Sequence, residues 1–253
     1  MKILGVIPAR YGSTRLEGKP LADICGKPMI VRVWERALMV PSIDSLVVAT
    51  DDGRIKEAVE KFNGKAVLTR KDHKSGTERA AEVCLAYPDH DVVVNIQGDE
   101  PLVDPRIIDQ VIQCLINAPE ASMSTVARVI KDESDYHNPN VVKLVMGSGG
   151  RVLYFSRSLI PYPRNAEGFQ AYEHIGIYCY RRDLLLKLSG MEETPLEHAE
   201  SLEQLRLLEN GYQIQAVVTE YGEDSLSVDT AADLEKVREI VARLENSRRG
   251  SAC

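Results

Sequence analysis

Residues 3–20 read Ile3-Leu4-Gly5-Val6-Ile7-Pro8-Ala9-Arg10-Tyr11-Gly12-Ser13-Thr14-Arg15-Leu16-Glu17-Gly18-Lys19-Pro20, an apolar run followed at once by a basic, glycine-containing segment. The run Ile3 to Ile7 is predicted as a strand, and in an open parallel sheet the residues just past a strand's carboxyl end lie where ligands bind. Gly12 and Gly18 let the backbone come close to a phosphate, while Arg10, Arg15 and Lys19 can surround a polyphosphate from several sides. The spacing is neither G-x-G-x-x-G nor a Walker A loop, which disfavours a dinucleotide or ordinary P-loop site. Composition alone also permits a merely solvated basic loop.

Outward from this segment, apolar β-branched runs alternate with helical patterns, the mark of βαβ units and a parallel sheet. Pro28 opens a predicted helix through about Met39, Ser45 to Thr50 is a strand, and Asp51 or Asp52 caps a helix carrying Ile55, Ala58, Val59 and Phe62. Strands follow at Lys65 to Leu68 and Asp91 to Ile96, around a helix from Thr77 to Leu85 that Ser75 can cap. A further helix begins at Pro105 and runs to about Ile116. The Val92-Val93-Val94 centre suits a strand buried on both faces. After residue 120 the pattern changes to strands joined by turns, at Met123 to Ile130, Val141 to Met146 and Val152 to Phe155, with Gly147-Ser148-Gly149-Gly150 as a hairpin-like turn. A second α/β stretch has strands at Ile175 to Tyr180 and Gln213 to Val218, with helices near Arg182 to Leu188 and Leu202 to Glu209. The last helix spans roughly Ala231 to Leu244 and ends in a polar, frayed tail. The expected organisation is an α/β nucleotide-binding portion at 1–120, an antiparallel lobe at 121–200, and an α/β portion at 201–253 that returns to the main sheet.

At 253 residues, 44% hydrophobic and 27% charged, the chain has ordinary globular composition and room for a sizeable core. Its formal net charge of -7 argues against general attraction to nucleic acid or anionic membranes, so any anion site is local. The five cysteines, Cys25, Cys84, Cys114, Cys179 and Cys253, form no C-x-x-C pair and read as thiols in a reducing compartment. The first apolar run is too short for a signal peptide, and no stretch approaches the length of a membrane-spanning helix. A cytoplasmic protein is expected.

Two more clusters carry chemistry. His73-Lys74-Ser75-Gly76-Thr77-Glu78-Arg79 follows a strand and starts a helix, where hydroxyls and free amides suit a base or an anion, although Ser and Thr also cap helices for purely structural reasons. Asn95-Ile96-Gln97-Gly98-Asp99-Glu100-Pro101 ends the valine-rich strand, and a carboxylate there beside glycine is placed to hold Mg²⁺, which takes only one or two protein carboxylates. Asp229, in Ser227-Val228-Asp229-Thr230, is a second candidate at the end of a short strand; it can equally be the N-cap of the following helix.

The chain resembles the bacterial CMP-Kdo synthetases, the 3-deoxy-manno-octulosonate cytidylyltransferases. The resemblance rests on Pro8-Ala9-Arg10 with Ser13, Arg15, Lys19 and Pro20, then Ser75-Gly76-Thr77, Gln97-Gly98-Asp99-Glu100-Pro101 and Tyr154-Phe155-Ser156-Arg157. It continues with His174-Ile175-Gly176-Ile177-Tyr178, Glu200-Ser201-Leu202-Glu203-Gln204-Leu205-Arg206 and Val228-Asp229-Thr230. It implies a nucleotide-diphospho-sugar-transferase-like three-layer α/β fold, with a mostly parallel sheet and a smaller antiparallel lobe. It implies joining of CMP from CTP to Kdo with release of pyrophosphate, for lipopolysaccharide synthesis.

By the same resemblance Arg10, Arg15 and Lys19 hold the CTP phosphates, with Lys19 nearest the α-phosphorus. Ser13, Ser75, Thr77, Arg79 and Gln97 complete the nucleotide site, and Asp99 and Asp229 bind Mg²⁺. Arg157, His174, Tyr178, Glu203 and Gln204 face the sugar acid, with Arg157 matched to its carboxylate. Lys19, Asp99, Arg10 and Arg15 are the implied catalytic group, and a homodimer built through about residues 120 to 200 is implied as well. His174 and Tyr178 share a strand face by the two-residue period, so they can instead be packed core. An 8-amino-Kdo or sialic-acid-type acceptor is an alternative within enzymes, and a non-catalytic nucleotide-sugar binding protein is the alternative from another class.

Overall fold

The structure is a computed structural model that describes residues 1–12, 16–222 and 225–250, the last four as backbone only. In chain order the first elements are β1 (Ile3–Ala9), β2 (Asp23–Ile24), β3 (Lys27–Pro28), α1 (Met29–Ala37), β4 (Ser45–Thr50), α2 (Gly53–Glu60), β5 (Ala66–Leu68), α3 (Gly76–Leu85), β6 (Val92–Asn95) and α4 (Pro105–Ile116). They are followed by β7 (Met123–Val129), β8 (Lys143–Met146), β9 (Val152–Ser156), β10 (Tyr172–Arg181), α5 (Arg182–Leu188), α6 (Pro195–Glu200), α7 (Leu205–Glu209), β11 (Ile214–Val218) and α8 (Ala231–Gly250). The chain divides into two compact units, Met1–Arg106 with Tyr221–Cys253, and Ile107–Glu220.

In the first unit the strands stand in the order β6-β1-β4-β5, and every pairing is parallel. Val92, Val93 and Val94 of β6 and Leu4, Val6 and Ile7 of β1 are fully buried, as the unbroken apolar runs require. From β1 the chain steps outward to β4 and β5 and then returns past β1 to β6. With crossovers of the usual right hand, this reversal puts α1 and α2 on one face and α3 on the other. It also makes the gap between the carboxyl ends of β1 and β6 the topological switch point, where open α/β sheets bind ligands. Asp52 caps α2 by accepting the Arg54 N–H at 2.9 Å, and Ser75 caps α3 by accepting the Glu78 N–H at 3.2 Å.

The β2–β3 hairpin was not evident from the pattern of residues. Cys25 and Gly26 at its tip have φ of 51° and 82°, the paired positive values of a primed turn. Its Ile24 packs in a cluster with Met29, Val228, Leu234, Val237 and Val241, which seats α8 on the hairpin. Arg32 adds an ion pair to Glu245 at 2.8 Å and donates to the Ile24 carbonyl. Pro28 ends β3 and stands at the N-cap of α1, one residue before the position that the sequence suggests. The last helix continues to Gly250, past the expected end at Leu244.

In the second unit the order is β11-β7-β10-β8-β9, antiparallel throughout except that β11 runs parallel to β7. That pairing moves the expected boundary at residue 201: residues 201–220 stay with the strand-rich unit, because β11 completes its sheet. The turn between β8 and β9 is the expected hairpin, with Gly149 and Gly150 at φ of 81° and 83°. The helix expected over Leu202 to Glu209 is shorter, α7, and the preceding α6 was missed although Thr194-Pro195 and Glu197 carry a capping box. Lys143, Phe155 and Tyr180 are among the largest fully buried side chains of this unit. Among the described residues no helix is long and apolar enough to cross a membrane.

Ile7 has no solvent exposure in the central strand of the first unit. Ile7→Ala is expected to lower the free energy of unfolding by about 2–5 kcal/mol, measured by urea denaturation, since the parallel sheet around it cannot fully collapse into the void.

Candidate active site

The switch point of the first unit is a cleft of about 310 Å³, bordered by the ends of β1 and β6, the start of α3, and the turn at Lys19. Two close approaches shape it. A side chain at Gly98 would place its Cβ 2.4 Å from the Pro8 carbonyl oxygen, so only glycine lets the chain leaving β6 pass this near the end of β1. Gly18 has φ of 66°, and its Cα faces the Tyr11 ring, where an added Cβ would lie 3.2 Å from ring atoms. The Gly18 N–H donates to the Tyr11 carbonyl at 3.2 Å, which closes the base of the basic segment and turns Lys19 back into the cleft.

There the Lys19 ammonium meets two carboxylates, Asp99 Oδ2 at 2.7 Å and Asp229 Oδ1 at 3.2 Å. Asp99 comes from the end of β6. Asp229 comes from 130 residues further on, held in place because the Val228 N–H donates to the Asp99 carbonyl at 2.9 Å. Ser227–Asp229 is an irregular segment rather than the expected short strand. Asp229 is also not a helix cap: Thr230 Oγ1 accepts the Asp233 N–H at 3.2 Å, and Asp233 Oδ2 accepts the Thr230 N–H at 2.9 Å. Both lysine-bound carboxylates can therefore turn to a divalent cation. Among the described residues no group of three or more His, Cys, Asp or Glu is gathered to hold a metal. The two carboxylates are by their chemistry a donor pair that suits Mg²⁺, whose remaining ligands would come from substrate phosphates and water.

Of the nucleotide-site residues expected from sequence, Arg10, Lys19, Ser75, Arg79, Gln97, Asp99 and Asp229 all border this cleft. Ser13 and Arg15 lie outside the described residues. Thr77 is buried in the first turn of α3 and is not among the residues bordering the cleft. Arg79 is buried too, and its guanidinium is committed to Thr69 Oγ1, the Arg70 carbonyl and Asp51 Oδ2 at 3.1 Å. It therefore fixes the loop before α3 and meets a ligand only with the guanidinium edge that remains. His73 and Lys74, which belong to the cluster read from sequence but were given no role of their own, border the cleft as well. His73 Nε2 contacts Glu82 Oε2, and the Lys74 N–H donates to Glu78 Oε2 at 2.8 Å, so the loop is stapled to two carboxylates one helical turn apart. The i, i+4 spacing of Glu78 and Glu82 behind a His-Lys pair was the available signal.

The residues expected to face a sugar acid all lie in the second unit. β10 carries an irregularity between Ile175 and Tyr178 that inserts two residues relative to β7. An insertion of two preserves the alternation, so His174 and Tyr178 keep one face, with ring centroids 5.4 Å apart. Phe155 stacks edge-on to His174 at 4.9 Å. The Thr125 hydroxyl lies 2.8 Å from His174 Nε2 and 3.0 Å from the Ile177 carbonyl. The same hydroxyl lies 3.4 Å from the Ile175 carbonyl. Desolvation pushes the His174 pKa down to about 3, and desolvation with the nearby Glu203 carboxylate raises that of Tyr178. Both are neutral at physiological pH, polar groups for hydroxyls rather than charges for a carboxylate. Gln204 is buried, and its Nε2 has no hydrogen-bond partner among the described residues. The Arg157 side chain donates to the carbonyls of Glu200 at 2.7 Å, Pro139 at 2.8 Å and Ser201 at 3.3 Å. The Glu200 carboxylate, not singled out from sequence, accepts from Ser156 Oγ at 2.6 Å and from the Arg157 N–H at 2.9 Å.

A cleft at an α/β switch point, with one lysine between two carboxylates, is placed where open α/β sheets bind their ligands, as in nucleotide-dependent transferases. The chain matches the cytidylyltransferase family over residues 4–215. It is 49% identical to the 3-deoxy-manno-octulosonate cytidylyltransferase of Geotalea uraniireducens (strain Rf4), across 94% of this chain and 98% of that protein. It is 48% identical to the Escherichia coli protein of the same name, across 96% and 97%. The solved structure of a CMP:2-keto-3-deoxy-manno-octonic acid synthetase complexed with CTP superposes with a TM-score of 0.91 at 47% identity, covering 96% of this chain and 99% of that one. A cytidylyltransferase from Leptospira borgpetersenii, at 20% identity and a TM-score of 0.62, shares the fold. This chain belongs to the 3-deoxy-manno-octulosonate cytidylyltransferase family.

The depressed His174 pKa has a measurable consequence. In the unfolded chain the ring takes a proton near pH 6.5, whereas in the folded protein it does so only near pH 3, so stability is complete above about pH 6.5 and falls as pH drops toward 3. His174→Gln is expected to flatten that part of the stability profile between pH 6.5 and 4, measured by thermal melts across pH; parallel profiles would show the ring to be freely protonated.

Proposed function

We propose that this protein transfers CMP from CTP to 3-deoxy-D-manno-octulosonate, giving CMP-Kdo and pyrophosphate, with Mg²⁺ as its cofactor. The observation that carries the reading is the convergence of Lys19, Asp99 and Asp229 at one point of the cleft. The relatives at 45–49% identity carry the Kdo name throughout, which favours Kdo over an amino-substituted or sialic-acid-type acceptor. An intact lysine and two carboxylates favour an enzyme over a binding protein that has lost its chemistry.

Both substrates are anions, so their approach is opposed until positive charge intervenes. Arg10, exposed at the rim of the cleft, and Lys19, within it, supply protein cations for the triphosphate; Arg15 belongs to the same segment by the family pattern. Asp99 and Asp229 would hold Mg²⁺, which would supply further positive charge to the triphosphate. Lys19, released from the two carboxylates, is then free to turn its ammonium to the α-phosphate, where charge builds as the bond from the sugar's anomeric oxygen to phosphorus forms. The bond to the bridging oxygen breaks, pyrophosphate leaves with the electron pair, and the proton of the anomeric hydroxyl passes to water. Positioning and electrostatics supply most of the catalysis in such transfers. Ser75, Gly76 and Gln97 border the nucleoside, the first two at the free amides of the α3 start.

In the second unit His174, Tyr178, Glu203 and Gln204 receive the sugar hydroxyls. The unpartnered Gln204 Nε2 supports this, because a buried donor left unmade costs about 1–3 kcal/mol and a sugar oxygen would satisfy it. Arg157, held on three carbonyls, offers its positive charge to the sugar carboxylate. A cytoplasmic homodimer belongs to the same reading, and light scattering of the purified protein tests the dimer.

Pyrophosphate release across a panel of nucleoside triphosphates and sugar acids is expected to require CTP, Kdo and Mg²⁺ together. In the same assay Asp99→Asn is expected to lower turnover at least about 100-fold, an increase of about 2.7 kcal/mol in the barrier, with an unchanged circular dichroism spectrum. A near-normal rate at saturating Mg²⁺ would remove Asp99 from the mechanism.

A further inference from the structure

Lys143 sits on β8 between two neighbours, paired with Ser156 of β9 and Glu173 of β10, and the residue has no solvent exposure. Its ammonium donates to three main-chain carbonyls, Val141 at 2.7 Å, Asn138 at 2.8 Å and Arg157 at 3.0 Å. An ammonium has three protons, so these acceptors saturate it. Among the described residues no carboxylate lies within ion-pair distance of it.

A lysine in this position is not explained by stability alone. Burying an ammonium is unfavourable even when hydrogen-bonded, and apolar side chains of similar volume commonly serve as well or better in a protein interior. What the lysine does that methionine cannot is draw the Asn138–Val141 loop and the Arg157 peptide onto one point. The Arg157 guanidinium then takes the carbonyls of Pro139, Glu200 and Ser201. Two cations thus hold six carbonyls from three separate segments, residues 138–141, 157 and 200–201, and neither cation is ion-paired to a carboxylate among the described residues. The ammonium and the guanidinium meet carbonyl dipoles directly, while the Asp135 carboxylate acts on Lys143 from beyond ion-pair distance and the Glu200 carboxylate is held on the Arg157 N–H.

We infer that Lys143 is a positioning residue for the sugar acid: it fixes the loop and the peptide that set the Arg157 side chain, and it adds buried positive charge behind it. The inference rests on the proposed placement of the sugar carboxylate at Arg157. It assigns Lys143 no contact with substrate and no part in the chemical step.

The test is steady-state kinetics of Lys143→Met, Lys143→Gln and Arg157→Met, with the KM for Kdo and the KM for CTP measured separately and folding followed by circular dichroism. Lys143→Met is expected to raise the KM for Kdo about tenfold or more while the KM for CTP stays within about twofold. Lys143→Gln, which keeps an N–H donor pair for the carbonyls, is expected to recover part of the loss. Equal changes in both constants, or no change in either, would overturn the inference. So would failure of both lysine variants to fold, which would make Lys143 a determinant of the fold rather than of the site. An effect in Arg157→Met with none in Lys143→Met defeats the inference alone; no effect in Arg157→Met defeats the placement of the carboxylate on which it rests.

Discussion

The contact between the Lys19 ammonium and the carboxylates of Asp99 and Asp229 is the point on which the first unit is organised. Two carboxylates brought this close repel one another unless a cation stands between them, and in a partly desolvated cleft that repulsion is stronger than in water. The lysine relieves it with its own charge. On the proposed reading, a divalent cation would relieve it in the same way and would leave the lysine free for the phosphate.

Backbone geometry makes that contact possible. Gly98 lets the chain leaving β6 run against the Pro8 carbonyl, and Gly18 takes a positive φ beneath the Tyr11 ring so that Lys19 turns inward. The Val228 N–H bond to the Asp99 carbonyl then brings the far end of the chain to the same place, supported by the apolar cluster that seats α8 on the β2–β3 hairpin. Thr230 and Asp233 satisfy the helix start between them, which spares Asp229 from capping. Each of these devices decides where Lys19, Asp99 or Asp229 stands.

The second unit achieves its order differently. Neutral, desolvated rings at His174 and Tyr178 form one face, and carbonyl-bound cations at Lys143 and Arg157 form a polar web beside β8 and β9. The charges of Lys143 and Arg157 are tied to main-chain carbonyls, so their position follows the backbone. Among the described residues Cys25, Cys84, Cys114 and Cys179 form no disulfide, and burial pushes the Cys114 thiol up to about 11.

Much of this was legible in the residues alone. The β-branched runs at Ile3–Ala9, Ser45–Thr50 and Val92–Asn95 can be buried on both faces only in a parallel sheet, so strand assignment and the ligand edge followed from local pattern. The basic segment, the Ser-Gly-Thr helix start and the Gln-Gly-Asp strand end were readable for the same reason, since each sits within a few residues of the element that positions it. Three things were not readable. The β2–β3 hairpin turns on two positive φ values that cysteine gives no hint of. The extent of the strand-rich unit depends on β11 pairing with β7, across about 90 residues. The commitment of Arg79 and Arg157 to carbonyls and hydroxyls depends on neighbours that only folding supplies. Short-range sequence determined the elements and their ligand-facing ends; the tertiary structure decided which charges meet, because convergence of Lys19, Asp99 and Asp229 is a matter of long-range packing and no local pattern encodes it.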